Sequence, residues 1–161
     1  MEKHLANSPY IFGQKPSSAD FAIFGQLTQL IGFDPTSRNI AHEISKRTVA
    51  WINSMEDLSG LKTENYEWFD VDSIPNSLNE LFKEVGKVYV PALIANAKAL
   101  DNGDETWETK IDDIPWSQKA FPYQAKCLKW IREEFENLSE EDRAKVLEIL
   151  DGSGCEKLLE S

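Results

Sequence analysis

The feature that most constrains the fold is a helix start, Ser17-Ser18-Ala19-Asp20, which follows Gly13 and Pro16. In a capping box of this kind the Ser17 hydroxyl accepts the N–H of Asp20, and the Asp20 carboxylate accepts the N–H of Ser17. The carboxylate also suits the positive end of a helix. The residues that follow, 21–31, are apolar nearly all round. We therefore predict that this helix lies inside the fold.

Apolar residues at helical spacing predict three further helices. The second covers about Ser37 to Asp57, and the third begins at Asn76 or Ser77. Pro91 lies inside the third pattern and removes a backbone donor, so we expect a kink or a restart there. A fourth helix is expected after Pro122.

Residues 106–111 alternate between apolar and polar side chains, which is the period of a strand. Asp112-Asp113 can turn this strand into 114–117, which predicts a small β-hairpin near 106–117. Ser139 to Asp142 repeats the capping pattern and opens a fifth helix. The predicted fold is a mainly all-α helical bundle that carries this hairpin.

Length and charge narrow the classes of partner. The 161 residues suit one domain, and the net charge is −11. Such a surface repels phosphate, so we expect neither nucleic acid nor a membrane as a partner. The two cysteines suit a reducing compartment, and no stretch has the pattern of a signal peptide or a membrane span. We therefore expect a cytoplasmic protein.

No residue is singled out as catalytic. His4 is expected in a mobile end and His42 on a polar helix side, and neither has a partner at zinc-ligand spacing. Lys126 and Lys129 flank Cys127 and can lower a thiol pKa, but Cys127 lies on an apolar stripe, where a packing role is expected. Residues 101–105 are read as a solvated turn because their spacing does not fit a calcium loop. We expect no metal.

The five tryptophans are many for this length. Most of them should belong to the core, because large aromatic side chains stabilise small folds. Some can instead line a cleft for an apolar ligand. The residues we assign to this candidate cleft are Phe24, Trp51, Tyr89 and Trp130.

The segment from Tyr10 to Leu27 resembles the C-terminal helical domain of the glutathione transferase superfamily. The resemblance rests on an apolar residue with Gly13, then Pro16, then Ser17, Ala19 and Asp20 before a buried helix. In that family the capping residues are structural, which implies the same role for Ser17 and Asp20. The second helix, with Arg47, Trp51 and Met55, also resembles the family, and residues 123–132 resemble a subgroup of uncharacterised bacterial transferase-like proteins. Motif support is good over residues 10–60.

The resemblance implies a division into an N-terminal segment, residues 1–15, and a transferase-like helical domain, residues 16–161. Family enzymes carry a thioredoxin-like domain that binds glutathione and supplies the activating side chain, and we expect that domain to be missing from this chain. The chain is then a helical module that does not catalyse a reaction alone. It either binds another protein or lines a ligand site.

Two alternatives remain open. In the first, this is the C-terminal part of a complete glutathione transferase, and glutathione is its co-substrate only if the thioredoxin-like domain exists. In the second, the chain forms a homodimer through residues 1–12 and the exposed side of the helix that contains residues 21–31.

Overall fold

A computed structural model describes residues 1–160, and over these residues the chain is mainly helical with one small antiparallel sheet. This confirms the predicted fold class at that level. The chain forms two compact units, Met1–Leu78 and a second that begins at Asn79. The division at residue 15 stays a prediction. No helix within residues 1–160 is long and apolar enough to cross a membrane.

The first unit contains α1 (Ser18–Gly32), α2 (Pro35–Ile44) and α3 (Lys46–Met55). Helix α1 begins at the predicted box: the Asp20 carboxylate accepts the Ser17 N–H at 2.8 Å and the Ser17 hydroxyl at 2.7 Å. Helix α2 begins in the same local way, because the Asp34 carboxylate accepts a backbone N–H one turn ahead.

The single helix predicted for residues 37–57 is wrong, because the chain leaves helical geometry at Ser45, with φ −142° and ψ 55°. The Ser45 hydroxyl lies 2.6 Å from the Thr48 hydroxyl, and Thr48 is buried. After the break α3 turns one apolar face to the core, while Ile40 and Ile44, which lie in the first half of the predicted helix, are exposed.

The prediction that α1 lies inside the fold is also wrong. Only Asp20 and Ile31 of this helix are buried, whereas Phe21 is 53% exposed and Leu30 is 47% exposed. Three of the five buried side chains of the first unit's core come from α3, and α1 contributes one stripe, most of it partly buried, rather than its whole circumference. The buried members of this core are Tyr10, Ile31, Trp51, Ile52 and Met55.

The N-terminal segment is packed, so the mobile end expected around His4 is wrong. His4 is 1% exposed, and its ring meets Phe69 edge-on at 6.1 Å. The segment is also tied to the loop after α3, because the Phe69 N–H donates to the Phe12 carbonyl at 2.7 Å. Gly13 has φ 136°, and a Cβ there would lie 2.9 Å from the Trp68 Cα. Only glycine allows this backbone approach.

The remaining elements are α4 (Asn76–Asn102), β1 (Thr106–Ile111), β2 (Ile114–Lys119), α5 (Pro122–Glu136), α6 (Glu140–Leu150) and a 3₁₀ helix (Cys155–Leu158). Helix α4 continues through Pro91, so the expected restart does not occur. Helix α6 begins at the second predicted box, where the Ser139 hydroxyl accepts the Asp142 N–H at 3.1 Å.

Strands β1 and β2 form the predicted hairpin, which begins with Thr106 opposite Lys119 and closes with Ile111 opposite Ile114. The turn residues Asp112 and Asp113 have φ 53° and 63°. Two positive φ values match the type I′ turn, whose twist suits a two-residue hairpin, and Asp tolerates this conformation.

The second unit has its own core, to which α4, α5 and the 3₁₀ helix contribute. Asn96 is fully buried and holds the start of α5, because its amide donates to the Phe121 carbonyl and accepts the Phe121 N–H. These two hydrogen bonds fix the N-cap of α5 to the interior of α4. The buried core residues are Val90, Leu93, Leu128, Cys155 and Leu158.

Candidate functional site

The candidate site is a cavity of about 220 Å³ between α4, the hairpin and the start of α5, here called the hairpin cavity. Every side chain that lines it belongs to the second unit. Most of the lining is aliphatic or aromatic, with two amides at the margin. The lining residues are Val88, Tyr89, Ala92, Leu93, Trp107, Ile111, Trp116, Gln118 and Gln124.

The alternation of β1 forms one wall of this cavity. Trp107 is 3% exposed and Ile111 is half-buried, whereas the residues between them on the other strand face are mostly exposed. Strand β2 is exposed along its whole length, although Trp116 and Gln118 reach the cavity. A two-stranded hairpin is marginal by itself, so its packing on the helices is what keeps this wall in place.

An ion pair joins the turn of the hairpin to α4. The Lys87 ammonium lies 2.7 Å from the Asp112 carboxylate, and this hydrogen bond raises the pKa of Lys87. Both side chains are about half exposed, so water screens their attraction and the pair contributes little stability. The pair shows that the turn lies beside the helix that lines the cavity.

The hairpin cavity presents neutral groups to a ligand. Burial, and to a smaller extent the nearby Cys127 thiol, raises the pKa of the Tyr89 phenol, which therefore remains neutral near pH 7. Gln118 and Gln124 supply uncharged donors and acceptors. Trp107 lines the cavity through its ring, while its Nε1 is buried beside it without a hydrogen-bond acceptor. The arrangement can hold an apolar body and a few polar atoms.

The four residues predicted for an apolar-ligand cleft fall in two units. Phe24 and Trp51 belong to the first unit, where Phe24 packs against the core that contains Trp51. Tyr89 and Trp130 belong to the second unit, and only Tyr89 lines the hairpin cavity. Trp130 is 43% exposed and meets Tyr123 edge-on at 6.1 Å. That these four residues line a single cleft stays a prediction.

Two further concavities have other chemistry. In the first unit a cavity of about 310 Å³ lies against Tyr10, Trp51 and Met55, but the Trp51 indole N–H already donates to the Pro9 carbonyl at 3.0 Å. In the second unit an open groove of about 790 Å³ runs along α5 and mixes Lys, Arg, Glu and Asp side chains. The first therefore lacks a free indole donor, and the second is lined mainly by charged side chains.

The cysteine environments support packing roles. Cys127 is half-buried, and the lysines beside it have other contacts: the Lys126 ammonium lies 4.7 Å from the Trp130 ring centre, and Lys129 pairs with Glu133. Burial raises the pKa of the Cys155 thiol, which donates to the Phe82 carbonyl. A thiol with a raised pKa is a poor nucleophile near neutral pH.

Sequence reasoning missed a serine–histidine pair in the first unit. The His4 Nε2 lies 3.1 Å from the Tyr10 carbonyl, which can only accept, so in a neutral imidazole the Nδ1 atom accepts from the Ser77 hydroxyl at 3.0 Å. The geometry resembles a nucleophile and its base. The three concavities described above are lined by other residues, so we assign the pair to fastening the N-terminal segment to the start of α4.

Within residues 1–160, no three His, Cys, Asp or Glu side chains lie close enough together to hold a metal ion. The residues of the predicted solvated turn, 101–105, include the end of α4 and the positive-φ Gly103. Comparison with known proteins finds no matching family model, no matching curated protein and no matching solved structure.

Proposed function

We propose that this chain is the helical, ligand-lining module of a glutathione-transferase-like protein, and that it binds a small apolar molecule without catalysing a reaction alone. The observation that carries the proposal is the hairpin cavity, whose wall combines Tyr89, Trp107 and Trp116 with aliphatic side chains. Largely apolar concavities with a few polar groups are the usual form of a small-molecule site.

The size of the cavity limits the ligand. Drug-sized ligands occupy pockets of about 300 to 1,000 Å³, whereas an apolar cavity of about 150 Å³ takes up benzene. The 220 Å³ of the hairpin cavity therefore suits a molecule with one ring and a short substituent. The net charge of −11 disfavours an anionic ligand, and the cavity lining offers no carboxylate to a cation.

Isopropylbenzene should bind to the protein, and Ala92→Phe should abolish its binding, because the new ring would fill the space beside Tyr89 and Leu93. Saturation-transfer NMR measures the binding. The matched control is Ala125→Phe, which adds the same ring in the open groove along α5 and should leave binding unchanged. Equal binding by wild type and Ala92→Phe, with both folded, would place the ligand elsewhere and contradict the proposal.

The second candidate is the C-terminal part of a complete glutathione transferase, in which the catalytic side chain lies on a thioredoxin-like domain. The local structure of the resembling segment supports it, because Asp20 is fully buried at the start of α1, as a structural capping residue should be. Conjugation of glutathione to a model electrophile by this chain alone would contradict the non-catalytic module. If the natural protein is longer than this chain and has no affinity for glutathione, the transferase proposal is contradicted.

If this chain is not joined to a thioredoxin-like domain, we propose that its partner is a second copy of the same chain. Phe21, Leu30 and Phe33 expose 53%, 47% and 78% of their surface on and directly after α1. Light scattering that shows only monomer at high concentration would remove this proposal. Residues 1–12 are less suited to such a contact than expected, since His4, Tyr10 and Ile11 are buried in their own unit.

We also propose a cytoplasmic location, supported by the two free cysteines, Cys127 and Cys155. The acidic net charge supports the expectation that the chain does not bind nucleic acid. Glutathione enters this proposal only as the co-substrate of the second candidate.

A further inference from the structure

Within residues 1–160, one buried side-chain polar atom has no hydrogen-bond partner: the Nε1 of Trp107. Leaving a buried donor unpaired is costly, and such groups in a native fold call for an explanation. The other buried tryptophan of the chain shows the usual solution, because the Trp51 Nε1 donates to the Pro9 carbonyl at 3.0 Å. Trp107 is 3% exposed and has no equivalent acceptor.

The same indole forms part of the wall of the hairpin cavity. Gln118, which faces Trp107 in the register of the hairpin, and Gln124 of α5 bring two amides to this cavity. A ligand oxygen at the Trp107 side would therefore meet one indole donor and amide donors nearby, while its apolar body would lie against Tyr89 and Leu93.

We propose that the ligand of the hairpin cavity is a small neutral carbonyl compound, whose oxygen accepts the Trp107 indole N–H. This inference rests on the proposed function and names its ligand class. The N–H has no acceptor within the protein, so pairing with a ligand oxygen breaks no existing hydrogen bond. In this conformation Nε1 has almost no accessible surface, so pairing requires the indole to turn until Nε1 reaches the cavity.

The test compares acetophenone with isopropylbenzene, which has a similar size but a methyl group in place of the carbonyl oxygen, on a tetrahedral carbon. The chain has five tryptophans, so its indole N–H region shows five signals in a ¹⁵N-labelled sample. Acetophenone should move the Trp107 signal to lower field, and isopropylbenzene should not. The signal is identified as the one that disappears in Trp107→Phe.

The variant also gives an affinity readout. Trp107→Phe should weaken the binding of acetophenone about tenfold relative to isopropylbenzene, because only the ketone loses a hydrogen bond. Trp116→Phe is the matched control: it removes an indole from the same cavity and should leave the ratio of the two affinities unchanged. If Trp107→Phe does not fold, the wild-type signal decides, identified by replacing the other four tryptophans in turn.

The outcomes separate this inference from the proposed function. If neither compound binds, the ligand-lining function itself fails. If both bind with an unchanged affinity ratio in Trp107→Phe, or with an unmoved Trp107 signal, the cavity binds apolar molecules but the carbonyl class is wrong. A moved signal together with the changed ratio supports the proposal.

Discussion

Replacement of Asp20 by alanine should lower the free energy of unfolding by about 3 kcal/mol. Asp20 is fully buried, and three donors converge on its carboxylate: the Ile11 N–H at 2.8 Å, the Ser17 N–H at 2.8 Å and the Ser17 hydroxyl at 2.7 Å. The capping contact with the N-cap residue Ser17 is worth about 1 kcal/mol, and the remainder comes from buried donors left without an acceptor. The carboxylate thus joins the N-terminal segment to α1.

Urea unfolding followed by circular dichroism measures this loss. The matched control is Asp34→Ala at the start of α2, where an exposed carboxylate accepts one backbone N–H at 2.7 Å. Its loss should be clearly smaller, because water can replace the carboxylate there. If the two variants lose the same stability, the contact between Asp20 and Ile11 adds nothing and the capping box is an ordinary helix start.

Gly86→Ala should lower the free energy of unfolding by about 2 to 3 kcal/mol, although alanine favours helix. A Cβ at Gly86 would overlap the Ser153 carbonyl oxygen and lie 2.9 Å from the Gly154 Cα. These are backbone atoms of the turn before the 3₁₀ helix, and Gly154 itself has φ 87°. The turn cannot yield without displacing Cys155, whose thiol donates to the Phe82 carbonyl.

The control is Gly25→Ala, the same change in α1, where nothing lies within 4 Å of the added carbon. This variant should gain about 0.5 to 1 kcal/mol from helix propensity alone. The two thermal unfolding midpoints should therefore move in opposite directions. A stabilised Gly86→Ala protein would show that the turn is not held against α4.

The helix starts and the hairpin turn were predictable because their interactions lie within a few residues. Ser17 with Asp20, Ser139 with Asp142, and the pair Asp112-Asp113 all act over three positions or fewer. The break at Ser45 was not predictable in this way. The stripe of apolar residues runs through it, and only the packing of α3 shows that Ile40 and Ile44 leave the core.

The candidate site was predictable in part. The alternation of β1 places Trp107 on the inner face, and Tyr89 was assigned to a ligand cleft. The alternation does not show that the Trp107 N–H lacks an acceptor, because this depends on whether a backbone carbonyl of a distant segment lies near it. Tertiary packing gives the Trp51 N–H an acceptor, which lies 42 positions away in the sequence. It gives the Trp107 N–H none.

The sequence by itself determined where α1, α4, α5 and α6 begin, where the hairpin turns and which side of β1 is apolar, since each depends on neighbours along the chain. Only the tertiary structure decided that His4 is buried against a residue 73 positions away, that Gly86 must lack a side chain, and that the Trp107 N–H has no partner. These are properties of contacts between distant segments. Such contacts depend on the shapes of the packed segments and on which side chains occupy the core. A local sequence pattern does not encode either.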